Sequence, residues 1–260
     1  MKDKEIIKLK KNISNLLLEN NQKVLFVFDF DGTLVDSFNS VLVPVLKSIG
    51  VEIGTYCEFS NRNGSFKKYV GNKGHRLHNL RTYKKIDKHE FQKVLMKTYL
   101  LESKKLQEIF YLVKSLENIP NIEFGVVSRN YISNYFHPEK IIETVLTKLN
   151  YFNNPLSFVK RIDPRKKKTK CFQYIKSDYP KHIICSMGDE IGDYISAVSA
   201  KFDCVFPIEG YDSTDLFEKQ DIFPIITEKI EYVVFSSLEK RIKEIYEIEE
   251  KISPFAEELA

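Results

Sequence analysis

Apolar positions along the chain follow two alternating patterns: short unbroken runs, and longer stretches spaced by three or four. The short runs predict strands at Val24 to Phe28, Ile122 to Val127, Leu156 to Val159, His182 to Met187 and Cys204 to Phe206. A strand covered on both faces is apolar throughout, which is what such runs record. Helical spacing fills the intervals. Ser103 to Leu116 repeats through Leu106, Ile109, Phe110, Val113 and Leu116. Pro138 to Leu149 opens on proline, which suits a first helical turn. Thr169 to Lys176 stops before Pro180, and Ile191 to Ala200 follows the fourth strand. Ser237 to Lys251 carries Glu and Lys four residues apart, the mark of a solvated helix face. At the start of the chain, Ile6, Ile7, Ile13, Leu16 and Leu17 predict an amphipathic helix beside the core. Strands alternating with helices in this way predict an α/β fold, a parallel sheet covered by helices.

Residues 38–101 break the alternation. No run there resembles a strand. Helices are expected at Val41 to Ile49 and Lys88 to Leu100, around a middle rich in Gly, Asn and Lys. The segment reads as a small, mainly helical insertion after the first strand, so that residues 1–37 and 102–260 form the core.

Composition agrees with this picture. A chain of 260 residues with 43% hydrophobic residues can bury a large domain and a smaller one. No run of eighteen apolar residues is present, so no transmembrane helix is expected. The first twenty residues have charges throughout and no apolar stretch of the secretory kind. Cys57, Cys171, Cys185 and Cys204 lack CxxC spacing and read as reduced thiols, so a cytoplasmic protein is expected. Net charge is only +4, which by itself does not imply nucleic-acid binding. Its distribution is more telling. Arg62 to His89 is basic with a single acid, Asp87, and Lys160 to Lys170 holds Arg161, Arg165, Lys166, Lys167 and Lys168. Such runs are usually solvated faces, but they also form a field that gathers phosphates.

The chemistry concentrates after the first strand. In Val24-Leu-Phe-Val-Phe-Asp-Phe-Asp-Gly-Thr-Leu-Val-Asp-Ser37, Asp29 and Asp31 directly follow a buried strand. Ligands of open parallel sheets bind at the carboxyl ends of the strands. Two carboxylates held there are unfavourable without a cation or a proton. A hard cation such as Mg²⁺, which takes a few carboxylates with waters and substrate oxygens, answers that need. Residues two apart in an extended segment face the same way, and Gly32 lets the backbone turn sharply and approach an anion.

Asp29 to Ser37 resembles the first motif of the haloacid dehalogenase superfamily. The resemblance implies a Rossmann-like core with a cap domain, and a site in which Asp29 attacks phosphorus to form an aspartyl-phosphate. Asp31 would protonate the leaving group and then activate water; an aspartate at this position is typical of the family's phosphatases. Phe124 to Ser128 resembles the second motif, with Ser128 donating to a phosphoryl oxygen, although a serine after a strand is by itself more often a cap or turn residue. The third motif is a lysine at a helix start. The run Lys166 to Lys170 offers several; Lys168, three residues before Cys171, is taken, with Lys170 as the alternative. Ser186 to Asp193 resembles the fourth motif. Asp189 would bind Mg²⁺ with Asp29 and the Asp31 carbonyl, and Asp193 would bind through water or orient the site. Glu190 reads as an exposed helix-start acid.

The expected activity is a phosphatase acting on a phosphorylated metabolite or a phosphoprotein, with a phosphotyrosine-specific protein phosphatase as one alternative. A phosphotransferase or mutase with the same nucleophile is another. No nucleic-acid partner is expected. Tyr56, Phe59, Phe66, Tyr69 and Tyr83 either form the insertion's own small core or offer a platform for the leaving group.

Overall fold

The computed structural model describes residues 2–62, 64–72, 76–210, 217, 218 and 220–257. Five strands form one sheet: β1 (Lys23–Phe28), β2 (Ile122–Ser128), β3 (Phe158–Arg161), β4 (His182–Gly188) and β5 (Cys204–Pro207). They lie in the order β3-β2-β1-β4-β5, and every pairing is parallel. In register, Phe28 stands beside Val126 on one side and Met187 on the other. The ends of β1, β2 and β4 are therefore level. The chain runs from β1 outward to one edge, then returns to β4 on the other side, so a crevice opens at the end of β1.

Before β1 comes α1 (Lys2–Glu19). Between β1 and β2 lie α2 (Val43–Ser48), α3 (Tyr56–Asn61), α4 (Lys67–Val70), α5 (Arg76–Tyr83), α6 (Lys88–Glu102) and α7 (Gln107–Glu117). Then follow α8 (Pro138–Lys148), α9 (Thr169–Asp178), α10 (Ile191–Ser199) and α11 (Ile230–Glu257). Strand side chains alternate between the two faces. Val24, Phe26 and Phe28 pack with Ile13, Ile109, Val145 and Leu238, from α1, α7, α8 and α11. Leu25 and Val27 pack with Phe172, Ile175 and Ala197, from α9 and α10. Each fully buried side chain of this kind contributes roughly 1.5–3 kcal/mol.

Three boundaries and one buried face differ from expectation, each for a visible reason. Helix α7 begins at Gln107, not Ser103, because the preceding residues are extended against the loop after β1. The Asp36 amide donates to the Lys104 carbonyl at 2.9 Å, and the Leu106 amide to the Leu34 carbonyl at 3.3 Å. Strand β3 is Phe158–Arg161, later than the predicted Leu156 to Val159. The Phe158 ring lies over Gly125, where an added Cβ would come within 2.3 Å of it, and this fixes the register. Helix α11 starts before Ser237, at Ile230, since Ile230, Val234 and Phe235 extend its buried stripe. In α1, Ile13 and Leu17 are buried while Ile7 is 65% exposed, so Ile7 lies off the packed face.

Among the described residues of 38–101 there is no strand. A single π turn, Phe38–Leu42, runs into α2. Helices α3, α4 and α5 were not anticipated. Each is short and contributes only one or two deeply buried apolar residues, such as Phe59, Val70 and Leu80, too few to register as a period. Local caps define others: the Thr55 hydroxyl accepts from the Glu58 amide, and Asp87 accepts from the His89 and Glu90 amides. A relay of ring contacts joins Phe38, Tyr56, Phe59, Phe66, Tyr69 and Tyr83. No helix of the described residues is long and apolar enough to cross a membrane. Cys171, Cys185 and Cys204 are free thiols, and the Cys57 side chain lies outside the described residues.

Candidate active site

The loop after β1 is fixed by its backbone. The Asp29 amide continues the ladder to the Met187 carbonyl at 2.9 Å. The Phe30 carbonyl accepts from the Leu34 and Val35 amides, both at 3.0 Å, and the Gly32 amide donates to the Val35 carbonyl at 2.9 Å. Gly32 turns the chain at φ +82°, a conformation costly for other residues. Phe30, Leu34 and Val35 are buried and anchor the loop from beneath. Tyr151, also buried, donates to the Leu34 carbonyl.

Four charged groups converge at this point. Asp29, Asp189 and Asp193 each offer a carboxylate oxygen within 4.8 Å of the others. The Lys168 ammonium sits 2.7 Å from Asp29 and 2.9 Å from Asp193, with only 2% of the residue exposed. Lys170, by contrast, extends over the Tyr174 ring at 5.8 Å. The Thr33 hydroxyl donates to Asp189 at 2.9 Å. Two glycines make room. A Cβ at position 188 would come within 2.7 Å of the Asp193 carboxylate, and one at position 210 within 2.1 Å of the Asp189 Cβ.

The electrostatics follow from burial. Asp29 is pushed well above the usual carboxylate range, first by burial and then by the negative charge of Asp193; Lys168 only partly offsets this. Burial opposes charge on Lys168, but Asp193 and Asp29 outweigh it and hold its pKa above that of an ordinary lysine. Three buried carboxylates around one ammonium leave negative charge uncompensated. An all-oxygen donor set with that charge fits a hard divalent cation.

Asp31 faces a different environment. Its carboxylate accepts from the Tyr99 hydroxyl at 2.6 Å, the Ser128 hydroxyl at 3.2 Å and the Asn130 amide at 3.3 Å. Burial pushes its pKa up, and the hydrogen bonds from Tyr99, Ser37 and Ser128 pull it partly back. The Asp31 side chain thus stands outside the carboxylate trio. Ser128, at the end of β2, is thereby brought to Asp31.

Sequence reasoning missed several neighbours. Tyr99 arrives from α6 and reads in the sequence only as one apolar helix position. Asn130 closes a turn by accepting from the Ile132 amide at 2.8 Å, a role open to any asparagine after a strand. Glu190 is half-buried rather than exposed, because it forms an ion pair with Arg129. Beside Asp31 lies a cavity of about 370 Å³, walled by the loop after β1, by the helices after Phe38 and by the Arg129–Glu190 pair.

No family model and no curated protein matches the chain. Solved structures do. A conserved haloacid dehalogenase-like protein from Agrobacterium tumefaciens superposes with a TM-score of 0.55 at 16% identity, over 82% of this chain and 98% of that one. A putative phosphatase from Clostridium difficile gives 0.52 at 17% identity, over 82% and 98%. A putative beta-phosphoglucomutase from Bacteroides vulgatus gives 0.50 at 13% identity, over 90% and 98%. The strand order, the level strand ends and these superpositions agree: the chain has the haloacid dehalogenase-like fold.

Proposed function

We propose that this chain is a magnesium-dependent phosphomonoester hydrolase in which Asp29 is the nucleophile. The observation that carries the reading is the pairing of a buried carboxylate trio around Lys168 with a separate, hydrogen-bonded Asp31. One carboxylate attacks and one moves protons, and their surroundings separate the two tasks. Asp29, Asp189 and the Asp31 carbonyl would hold Mg²⁺, with Asp193 supporting them. When bound, the ion would neutralise charge on the transferring phosphoryl group. Asp29 attacks phosphorus and forms an aspartyl-phosphate, dividing one hard displacement into two. Asp31 gives its proton to the leaving oxygen, then takes one from the water that attacks the phosphorus. Lys168 balances charge on the equatorial oxygens. Tyr99 fixes the Asp31 carboxyl in place.

Residues 38–101 form a cap over a core of residues 1–37 and 102–260. The cavity beneath them is of metabolite size, which favours a small phosphate ester over a phosphoprotein. The phosphotyrosine-protein alternative needs a longer open groove. A phosphotransferase with the same nucleophile is the second reading, supported by the putative phosphoglucomutase that shares the fold at a TM-score of 0.50.

The test is phosphate release from a panel of phosphosugars, aryl phosphates and phosphopeptides, with and without Mg²⁺, beside Asp29→Asn. Release that needs both Mg²⁺ and Asp29 is expected. Transfer to an added alcohol in place of release favours the second reading, and equal release by Asp29→Asn overturns both.

A further inference from the structure

The cavity beside Asp31 is lined by three arginines, and two of them come from the helical segment. Arg62 follows α3 and Arg76 opens α5. The third, Arg129, is engaged by Glu190. Besides Asp31 at the reacting end, Glu190 is the only acid on the cavity wall among the described residues.

Both insertion guanidiniums are held by their surroundings. Arg62 donates through Nη1 to the Gly71 carbonyl at 3.2 Å and the Val70 carbonyl at 3.4 Å. Arg76 lies over the Phe59 ring, 5.1 Å from its centroid. The two arginines are near enough for Arg76 to disfavour charge on Arg62, whose pKa is lowered first by burial and then by that neighbour. Both line the same cavity, so an anion that enters it meets two guanidiniums. Guanidinium is also the side chain best matched to carboxylate and phosphate oxygens. The same cavity is also lined by apolar and aromatic side chains, Phe38, Val41, Tyr56 and Phe59 among them.

We infer that the leaving group of the substrate carries a second anion, a carboxylate or a further phosphate, bound by Arg62 and Arg76, and an apolar or ring body between that anion and the ester. The inference rests on the phosphatase reading for its reacting end and names the substrate class of that same site. It assigns Arg62 and Arg76 to specificity, leaving the chemistry to Asp29 and Asp31.

The experiment compares phenyl phosphate with its 4-carboxy and 4-phosphonomethyl derivatives. It measures turnover by the intact chain with Mg²⁺, and equilibrium binding of the unreacted esters to Asp29→Asn by calorimetry. The intact chain is expected to prefer at least one ester bearing the second anionic group by tenfold or more in kcat/KM, and Asp29→Asn to bind it tenfold more tightly than phenyl phosphate. Placing Arg76→Gln in either background is expected to erase most of that ratio, whereas Arg76→Lys retains part of it. Because Arg62 also braces the Val70 and Gly71 carbonyls, Arg62→Lys is the informative variant at that position. Which derivative is preferred separates a carboxylate from a phosphate. Turnover with no preference between the esters overturns the inference and leaves the phosphatase reading intact. Arginine-dependent selective binding without Asp29-dependent turnover sinks the phosphatase reading and sustains the anion subsite. Equal loss on all esters in Arg76→Gln, with its melting temperature unchanged, also overturns the inference.

Discussion

The carboxylate cluster and the helical insertion meet at one cavity but are built by different means. In the cluster, Asp29 and Asp189 directly follow the ends of buried parallel strands, Lys168 and Asp193 stand at the starts of α9 and α10, and neighbouring amides and hydroxyls fix the side chains. In the insertion, α3, α4 and α5 have 6, 4 and 8 residues. Helices that short are unstable alone. They hold together through the relay of rings from Phe38 to Tyr83 and through caps such as Thr55. The sheet thus supplies an arrangement that tolerates little change, while the insertion supplies a wall whose residues can vary without disturbing it. On the proposed reading, chemistry sits at the strand ends and selectivity mainly in the insertion.

If that division is right, substitutions in the cluster and at Tyr99, which α6 brings to Asp31, should lower turnover, and those elsewhere in the insertion should redirect it. The largest effect is expected at Asp29. Asp29→Asn should lower kcat by on the order of 10⁴-fold or more in a phosphate-release assay, without loss of thermal stability, since it removes one of three crowded carboxylates. Lys168→Met should follow, with roughly a 10²–10³-fold loss from removing a charged partner of the transferring group. Gly210→Ala is a sharper test because residue 210 makes no chemistry. Its Cβ would displace Asp189, so Mg²⁺ affinity, read from metal-dependent shifts in melting temperature, should fall by about 10–100-fold. Tyr99→Phe removes one hydrogen bond to the Asp31 carboxyl, worth about 1.5 kcal/mol, and should reduce kcat by about tenfold. Phe66→Ala, in the insertion's own core, should raise KM more than it lowers kcat, as measured by steady-state kinetics. A collapse of kcat there comparable to that of Asp29→Asn would erase the distinction between the two regions.

The same contrast explains what could be read from the sequence. The central strands β1, β2 and β4 were visible because a buried parallel strand admits little but apolar residues, and the DxDGT segment follows one of them; β3, Phe-Val-Lys-Arg and half-buried throughout, was legible only in its first two residues. Lys168 was chosen over Lys170 by its distance from Cys171, and the geometry places Lys168 in the cluster. Tyr99 was invisible because a tyrosine on the buried face of a helix reads as core until its hydroxyl is seen 2.6 Å from Asp31. Arg62 and Arg76 lay inside a basic run most of which is solvated, and pattern alone could not separate them from it. The extended stretch before α7 was misread as helix because its bonds run to the Leu34–Asp36 loop, a partner distant in sequence.

The most direct test of the central claim is to trap the covalent intermediate. The chain is mixed with a turned-over ester and Mg²⁺, quenched in acid within the first turnover, and reduced with borohydride, which converts an aspartyl-phosphate to homoserine. Peptide mass spectrometry is expected to find homoserine at position 29 and unmodified aspartate at 31, 189 and 193. Sustained phosphate release with Asp29 unmodified, or homoserine at another position, would contradict the account.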